Sequence, residues 1–128
     1  MATKFYICRH CGNVIEKVVD SKVPVVCCGE KMEELIPNTV DASGEKHVPV
    51  VTKIDEWTLK VEVGSVAHPM LPEHAISWVC LVTTGGSQRK LLRPDGKSEV
   101  TFLIDKNERV IKAFAYCNLH GLWVTECK

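Results

Sequence analysis

From residue 57 onward apolar and polar side chains alternate one for one: Trp57, Leu59, Val61 and Val63 against Thr58, Lys60 and Glu62. A period of two predicts a β-strand with one buried face and one wet face. Further runs rich in Val, Ile, Leu, Phe and Trp cover 46–54, 75–84, 88–92, 98–104, 110–116 and 122–126. Turn signals at Asp55-Glu56, Gly85-Gly86, Pro94-Asp95-Gly96 and Lys106-Asn107 separate them. Seven short strands with such punctuation predict an antiparallel, immunoglobulin-like β-sandwich. No stretch carries a helical period, and no segment repeats.

Residues 1–36 have a different texture. They hold four of the seven cysteines and two small turns, at Cys11-Gly12 and Cys28-Gly29. Their apolar content is too low to bury a core alone, and a segment this short needs a metal or a partner chain to fold. Residues 37–45, with Pro37, Asn38, Asp41, Ser43 and Gly44, read as a linker and loop. The sandwich is therefore expected over 46–128.

The 128 residues are 45% apolar, enough for a real core in one domain with a very small one attached. Sixteen basic residues balance sixteen acidic ones, so no global field draws the chain to nucleic acid or membranes. The N-terminal residues lack an apolar signal region and no segment approaches membrane-spanning length, which leads us to expect a cytoplasmic protein. In a reducing cytosol an odd number of cysteines points to metal binding or chemistry rather than a disulfide framework.

Cys8-x-x-Cys11 has the spacing of a metal knuckle, in which two thiolates reach one ion. Cys27 and Cys28 are adjacent, which disfavours a disulfide between them but leaves both able to ligate. Four sulfurs suit zinc or iron, and spacing alone leaves the two open. His10, inside the first knuckle, is expected to face solvent.

The second constellation is built on Tyr116-Cys117-Asn118-Leu119-His120-Gly121, where a thiol and an imidazole stand three residues apart. His47 opens the β-region, and His68 and His74 lie in a loop stiffened by Pro69 and Pro72. Taken singly, a loop histidine is more often solvated and a lone cysteine more often a small core residue. Jointly, four His and one Cys are wrong for a closed structural zinc site. They suit a redox iron with one coordination position left over. Cys80 is assigned to the core with Trp78 and Val82, and Cys127 is a spectator thiol. One rival is a blue-copper electron carrier, but no Met follows Cys117 and four histidines are too many. The other is a non-catalytic binding module with a zinc-stapled N-terminal domain.

With both clusters in view, the chain resembles the desulfoferrodoxins, the two-iron form of superoxide reductase, over essentially its whole length. The resemblance rests on Cys8-x2-Cys11…Cys27-Cys28-Gly29, Glu45-Lys46-His47-x-Pro49, His68-Pro69-Met70, His74 and Cys117-Asn118-Leu119-His120-Gly121. It implies a desulforedoxin-like iron domain over 1–36 and a neelaredoxin-like catalytic domain over 46–128. Cys8, Cys11, Cys27 and Cys28 would hold a tetrahedral iron. His47, His68, His74 and His120 would be equatorial ligands of a second iron, with Cys117 axial and the opposite position open. The implied reaction is one-electron reduction of superoxide to hydrogen peroxide. Lys46 would steer the anion and help deliver protons, and Glu45 would be a sixth ligand in the ferric state. Amides of Leu119 and His120 would hydrogen-bond the axial sulfur. A rubredoxin-like electron donor and a homodimer are the implied partners.

Overall fold

The computed structural model describes residues 3–127. The chain divides into two compact units, 1–36 and 37–128. In the first, β1 (Phe5–Ile7) pairs with β2 (Val14–Glu16) and with β5 (Glu33–Glu34), while β3 (Val26–Cys27) and β4 (Glu30–Lys31) form a two-residue hairpin ladder. Among the described residues of this unit only Phe5, Ile7, Cys8 and Leu35 are buried hydrophobics. That core is too small to stabilise 36 residues unaided. The turns that carry the cysteines are therefore central to it. Gly12 N–H donates to the Cys8 carbonyl at 2.8 Å and closes the first knuckle.

The second unit is a two-sheet sandwich of seven antiparallel strands. One sheet has the order β10 (Glu99–Leu103), β7 (Thr58–Val63), β6 (Pro49–Lys53). The other runs β12 (Gly121–Glu126), β11 (Val110–Cys117), β8 (Ile76–Thr83), β9 (Gly86–Leu91). The expected sandwich is thus present. Leu59, Val61 and Val63 of β7 face Phe102, Ile76, Val79, Leu81, Ala113, Ala115 and Cys117 in one buried cluster. Where the open edges of the two sheets meet, side chains replace missing ladder bonds: Gln88 donates to the Leu103 carbonyl at 2.7 Å and Lys90 to that of Thr101 at 2.6 Å.

Three details differ from the sequence reading. Trp57 does not share the buried face of β7; it is 54% exposed. The strand begins one residue later, because Trp57 N–H is taken by the Asp55 carboxylate at 2.9 Å in the preceding turn. Residues 37–45 belong to the second unit, where Asn38 bonds Val124 in both directions, at 2.9 and 3.1 Å. Within them starts α1 (Gly44–His47), a single helical turn closed by Val48 N–H to the Gly44 carbonyl at 2.8 Å. Four residues are too few to leave a helical period in the sequence.

Cys80 is buried as expected, but outside the inter-sheet cluster. The pairing of β11 with β8 shifts register between Tyr116–Trp78 and Cys117–Ile76. A bulge at that point leaves Ile76, Val79 and Leu81 facing inward and turns Trp78 and Cys80 to the outer face, where Trp78 stacks on Tyr116. The burial difference along β7 makes a direct check. Leu59→Ala should cost about 2–5 kcal/mol in thermal or denaturant unfolding, and Trp57→Ala a clearly smaller amount.

Candidate metal centres

In the first unit the ligand atoms of Cys8, Cys11, Cys27 and Cys28 lie within 4.8 Å of one another. The Cys11 and Cys27 sulfurs are 3.6 Å apart, close to the ~3.8 Å edge of a tetrahedron with ~2.3 Å metal–sulfur bonds. Adjacent Cys27 and Cys28 can both turn to one point because Cys28 takes a left-handed backbone, φ 53°. The Cys11 amide pulls the Cys8 thiol down to about 6. Hydrogen bonding with the Cys11 sulfur pushes Cys28 up to about 12. Four thiolates cannot ionise together without a cation, and a soft metal fits that need. Asn13 Nδ2 approaches the Cys27 sulfur at 3.6 Å. His10 is exposed, as expected, and lies 3.1 Å from Glu30.

The second centre lies at one end of the sandwich core. The strand β11 alternates Ala113, Ala115 and Cys117 inward, so its last residue presents a fully buried sulfur. The chain then reverses through Asn118-Leu119-His120, and Gly121 closes the hairpin at φ 78°, a conformation that favours glycine. His47 ends α1, and His68 and His74 come from the β7–β8 connection. The imidazoles form a closed square. Ring centroids are 4.6 Å apart for His47–His68, 4.7 Å for His68–His74, 5.1 Å for His74–His120 and 4.9 Å for His120–His47, each pair edge-on.

Between His47 and His68 the nitrogens turned to the middle of this square share no proton. His47 Nδ1 donates to the Ser43 carbonyl and His68 Nδ1 to that of Pro69, both at 2.6 Å. Each neutral ring therefore carries its proton on the outside and a bare Nε2 lone pair inside. Yet His47 Nε2 stands 3.1 Å from both His68 Nε2 and His120 Nδ1. Ligands at right angles on ~2.1 Å metal–nitrogen bonds sit ~3.0 Å apart. His74 Nε2 is buried with no hydrogen-bond partner. These orphaned lone pairs, with the Cys117 sulfur among them, fit a metal ion and little else. His120 offers Nδ1 rather than Nε2 because it follows Cys117 by only three residues, so its near nitrogen already reaches.

Burial keeps the His47 and His68 rings neutral. It pushes His68 down to about 4, and it also lowers His47; the neighbouring histidines add to both shifts. The sulfur of Cys117 receives the His120 amide at 3.4 Å. The Leu119 amide, expected to share that role, is not among its donors in the described residues. Glu45 and Lys46 are exposed on α1, immediately before buried His47. Their turn is held in place: the Glu45 carbonyl accepts from Val66 N–H at 2.9 Å and from the Ser65 hydroxyl at 3.3 Å. A side chain on Gly64 would come within 2.5 Å of that carbonyl, so glycine permits the approach.

Two residues escaped the sequence reading. Trp123 stacks on His47 at 4.9 Å and donates its indole N–H to the His120 carbonyl at 3.1 Å. Strand alternation across the hairpin could have found it, since Trp123 pairs with inward-facing Ala115. Asn118 makes hydrogen bonds on both sides of His74. Cys127 is half-buried and belongs to neither centre.

The comparisons with known proteins bear directly on these two centres. The Desulfoferrodoxin family model matches residues 39–126. The desulfoferrodoxin of Syntrophotalea carbinolica is 45% identical over 121 residues, 94% of each chain. The chain belongs to the desulfoferrodoxin family. Another member, from Nitratidesulfovibrio vulgaris, is 46% identical, with 96% of this chain and 95% of that one covered. Among solved structures, the superoxide reductase from Treponema pallidum superposes with a TM-score of 0.83 at 40% identity, over 98% of this chain and 100% of that one.

Lowered histidine pKa values fix the pH response of the metal-free protein. The unfolded chain binds protons near 6.5 that folded His68 refuses until about 4. Stability should be fully present above pH 6.5 and fall as pH drops towards 4, read by thermal melts of the metal-free form. Melts that stay flat across that window would contradict buried neutral rings.

Proposed function

We propose that this desulfoferrodoxin is a superoxide reductase carrying two irons, one at the four-cysteine site and one at the four-histidine, one-cysteine site. The observation that carries the reading is the square of four imidazoles with a buried thiol. Five donors converge there, one fewer than an octahedral ion takes. The Treponema pallidum structure and the family relatives support it.

The reaction joins one superoxide, one electron and two protons into hydrogen peroxide, and bound ferrous iron supplies the electron. The chain's own residues do the rest. As ligands the imidazoles of His47, His68, His74 and His120 would bring no charge, so a divalent ion held there would stay cationic, with only the Cys117 thiolate to offset it. Lys46 adds an exposed positive charge next to His47, which attracts a small anion and offers an ammonium proton donor. The Ser65 and Val66 bonds to the Glu45 carbonyl keep that turn beside the centre. Glu45 is the carboxylate we assign as sixth ligand to the oxidised metal; its backbone being held, its side chain must make the reach. The His120 amide tempers the sulfur's electron donation, which in haem enzymes favours O–O cleavage.

A small rubredoxin-like protein is the proposed electron donor and the reducing cytoplasm the compartment, in keeping with seven cysteines and no disulfide among the described residues. Exposed Val18, Val19, Val23 and Val26 on the first unit support a homodimer.

Reduced protein mixed with pulsed superoxide should yield peroxide without matching oxygen; matched yields of both would mean dismutation and overturn the reading. Lys46→Ala should slow the reaction at low salt by roughly tenfold and weaken its salt dependence. An unchanged rate removes Lys46 from the mechanism.

A further inference from the structure

The four imidazoles are not held alike. His47 and His68 are each anchored through their own rings, by short bonds from Nδ1 to a nearby carbonyl. The His74 ring makes no such bond among the described residues, and its buried Nε2, turned to the centre, has no hydrogen-bond partner. The main chain of His74 carries the constraint instead, and two sets of bonds supply it. Leu71 and His74 bond each other's backbone in a tight turn, at 2.9 and 3.1 Å. From the other side comes Asn118, which follows Cys117 directly. Asn118 Oδ1 accepts from Ala75 N–H at 3.0 Å, and Nδ2 donates to the Glu73 carbonyl at 2.9 Å. Asn118 N–H also donates to the Ala75 carbonyl at 3.2 Å. One side chain thus uses its acceptor and its donor on the two residues flanking a ligand more than forty positions away.

We propose that Asn118 is a positioning residue that locks the His74 segment to the Cys117–His120 turn, so that ligands from two distant segments reach the metal as one rigid set. The residue is exposed and its side-chain hydrogen bonds go to the backbone of Glu73 and Ala75, so its effect runs through the backbone of residues 73–75. An amide is required because the flanking groups are one N–H and one C=O. Serine offers a single atom too short to reach both, and a carboxylate would set a negative oxygen against the Glu73 carbonyl. This inference rests on the metal-site reading above.

Cobalt(II) titration of the full chain, with chelator competition, tests it, because the absorption bands of the two sites report on each separately. Asn118→Ala should weaken cobalt binding at the histidine site by about 10–100-fold, the usual effect of removing an outer-shell partner. Binding at the four-cysteine site should stay unchanged and serves as an internal reference. Asn118→Asp keeps the acceptor for Ala75 N–H and should fall between parent and alanine variant. In a His74→Ala background, Asn118→Ala should add less than about a twofold loss, because its action through His74 is already gone. Parent-like affinity in Asn118→Ala, or the same full loss in the His74→Ala background, would overturn the proposal. A general loss of stability would give that second result. A parent chain that takes no cobalt at the histidine site would instead overturn the metal-site reading itself, and this inference with it.

Discussion

Lone pairs of neutral imidazoles repel when they face each other at hydrogen-bond distance with no proton between them. His47 Nε2 meets His68 Nε2 in this way at 3.1 Å, and the protons of both rings are committed to Ser43 and Pro69 outside the square. In a buried site this arrangement is costly unless a cation stands in the middle. The rest of the second unit is organised around that demand. The alternation of β11 turns Cys117 inward, and the Gly121 hairpin returns His120 within reach. Val63, Gly64 and Val66 hold the His68 and His47 segments against each other, through His68 N–H to the Val63 carbonyl at 2.9 Å and Val66 N–H to the Glu45 carbonyl.

The same physics acts at the cysteine site with less scaffold. Thiols crowded within 4.8 Å differ in proton affinity: the Cys11 amide lowers Cys8, and hydrogen bonding with the Cys11 sulfur raises Cys28. With so few buried apolar residues, a metal there contributes folding energy as well as any electronic role. In the larger unit the core stabilises the fold, and the metal site is built at its end.

Much of this was legible in the residues. The alternation of β7 and the turn signals predict the strands of the sandwich, and the nine candidate metal ligands stand out by type and spacing. What the sequence hid depends on contacts made across the fold. The α1 turn is set by its clamp to Ser65 and Val66 rather than by helical periodicity. Trp57 looked like a core residue because alternation does not say where a strand begins, and the Asp55 turn decides that. Asn118 and Trp123 sit beside obvious ligands, but their roles depend on which backbone groups face them. Leu119 shows the converse: a short turn suggested two amides on the sulfur, and the geometry brings only that of His120.

The central claim is that one chain holds two chemically distinct irons, one in sulfur alone and one in four imidazoles and a thiolate. Mössbauer spectroscopy of the iron-loaded protein reads this directly. The account predicts two quadrupole doublets of equal area, one of tetrahedral iron–thiolate character and one of a higher-coordinate, nitrogen-rich site. A single doublet of either kind would contradict it.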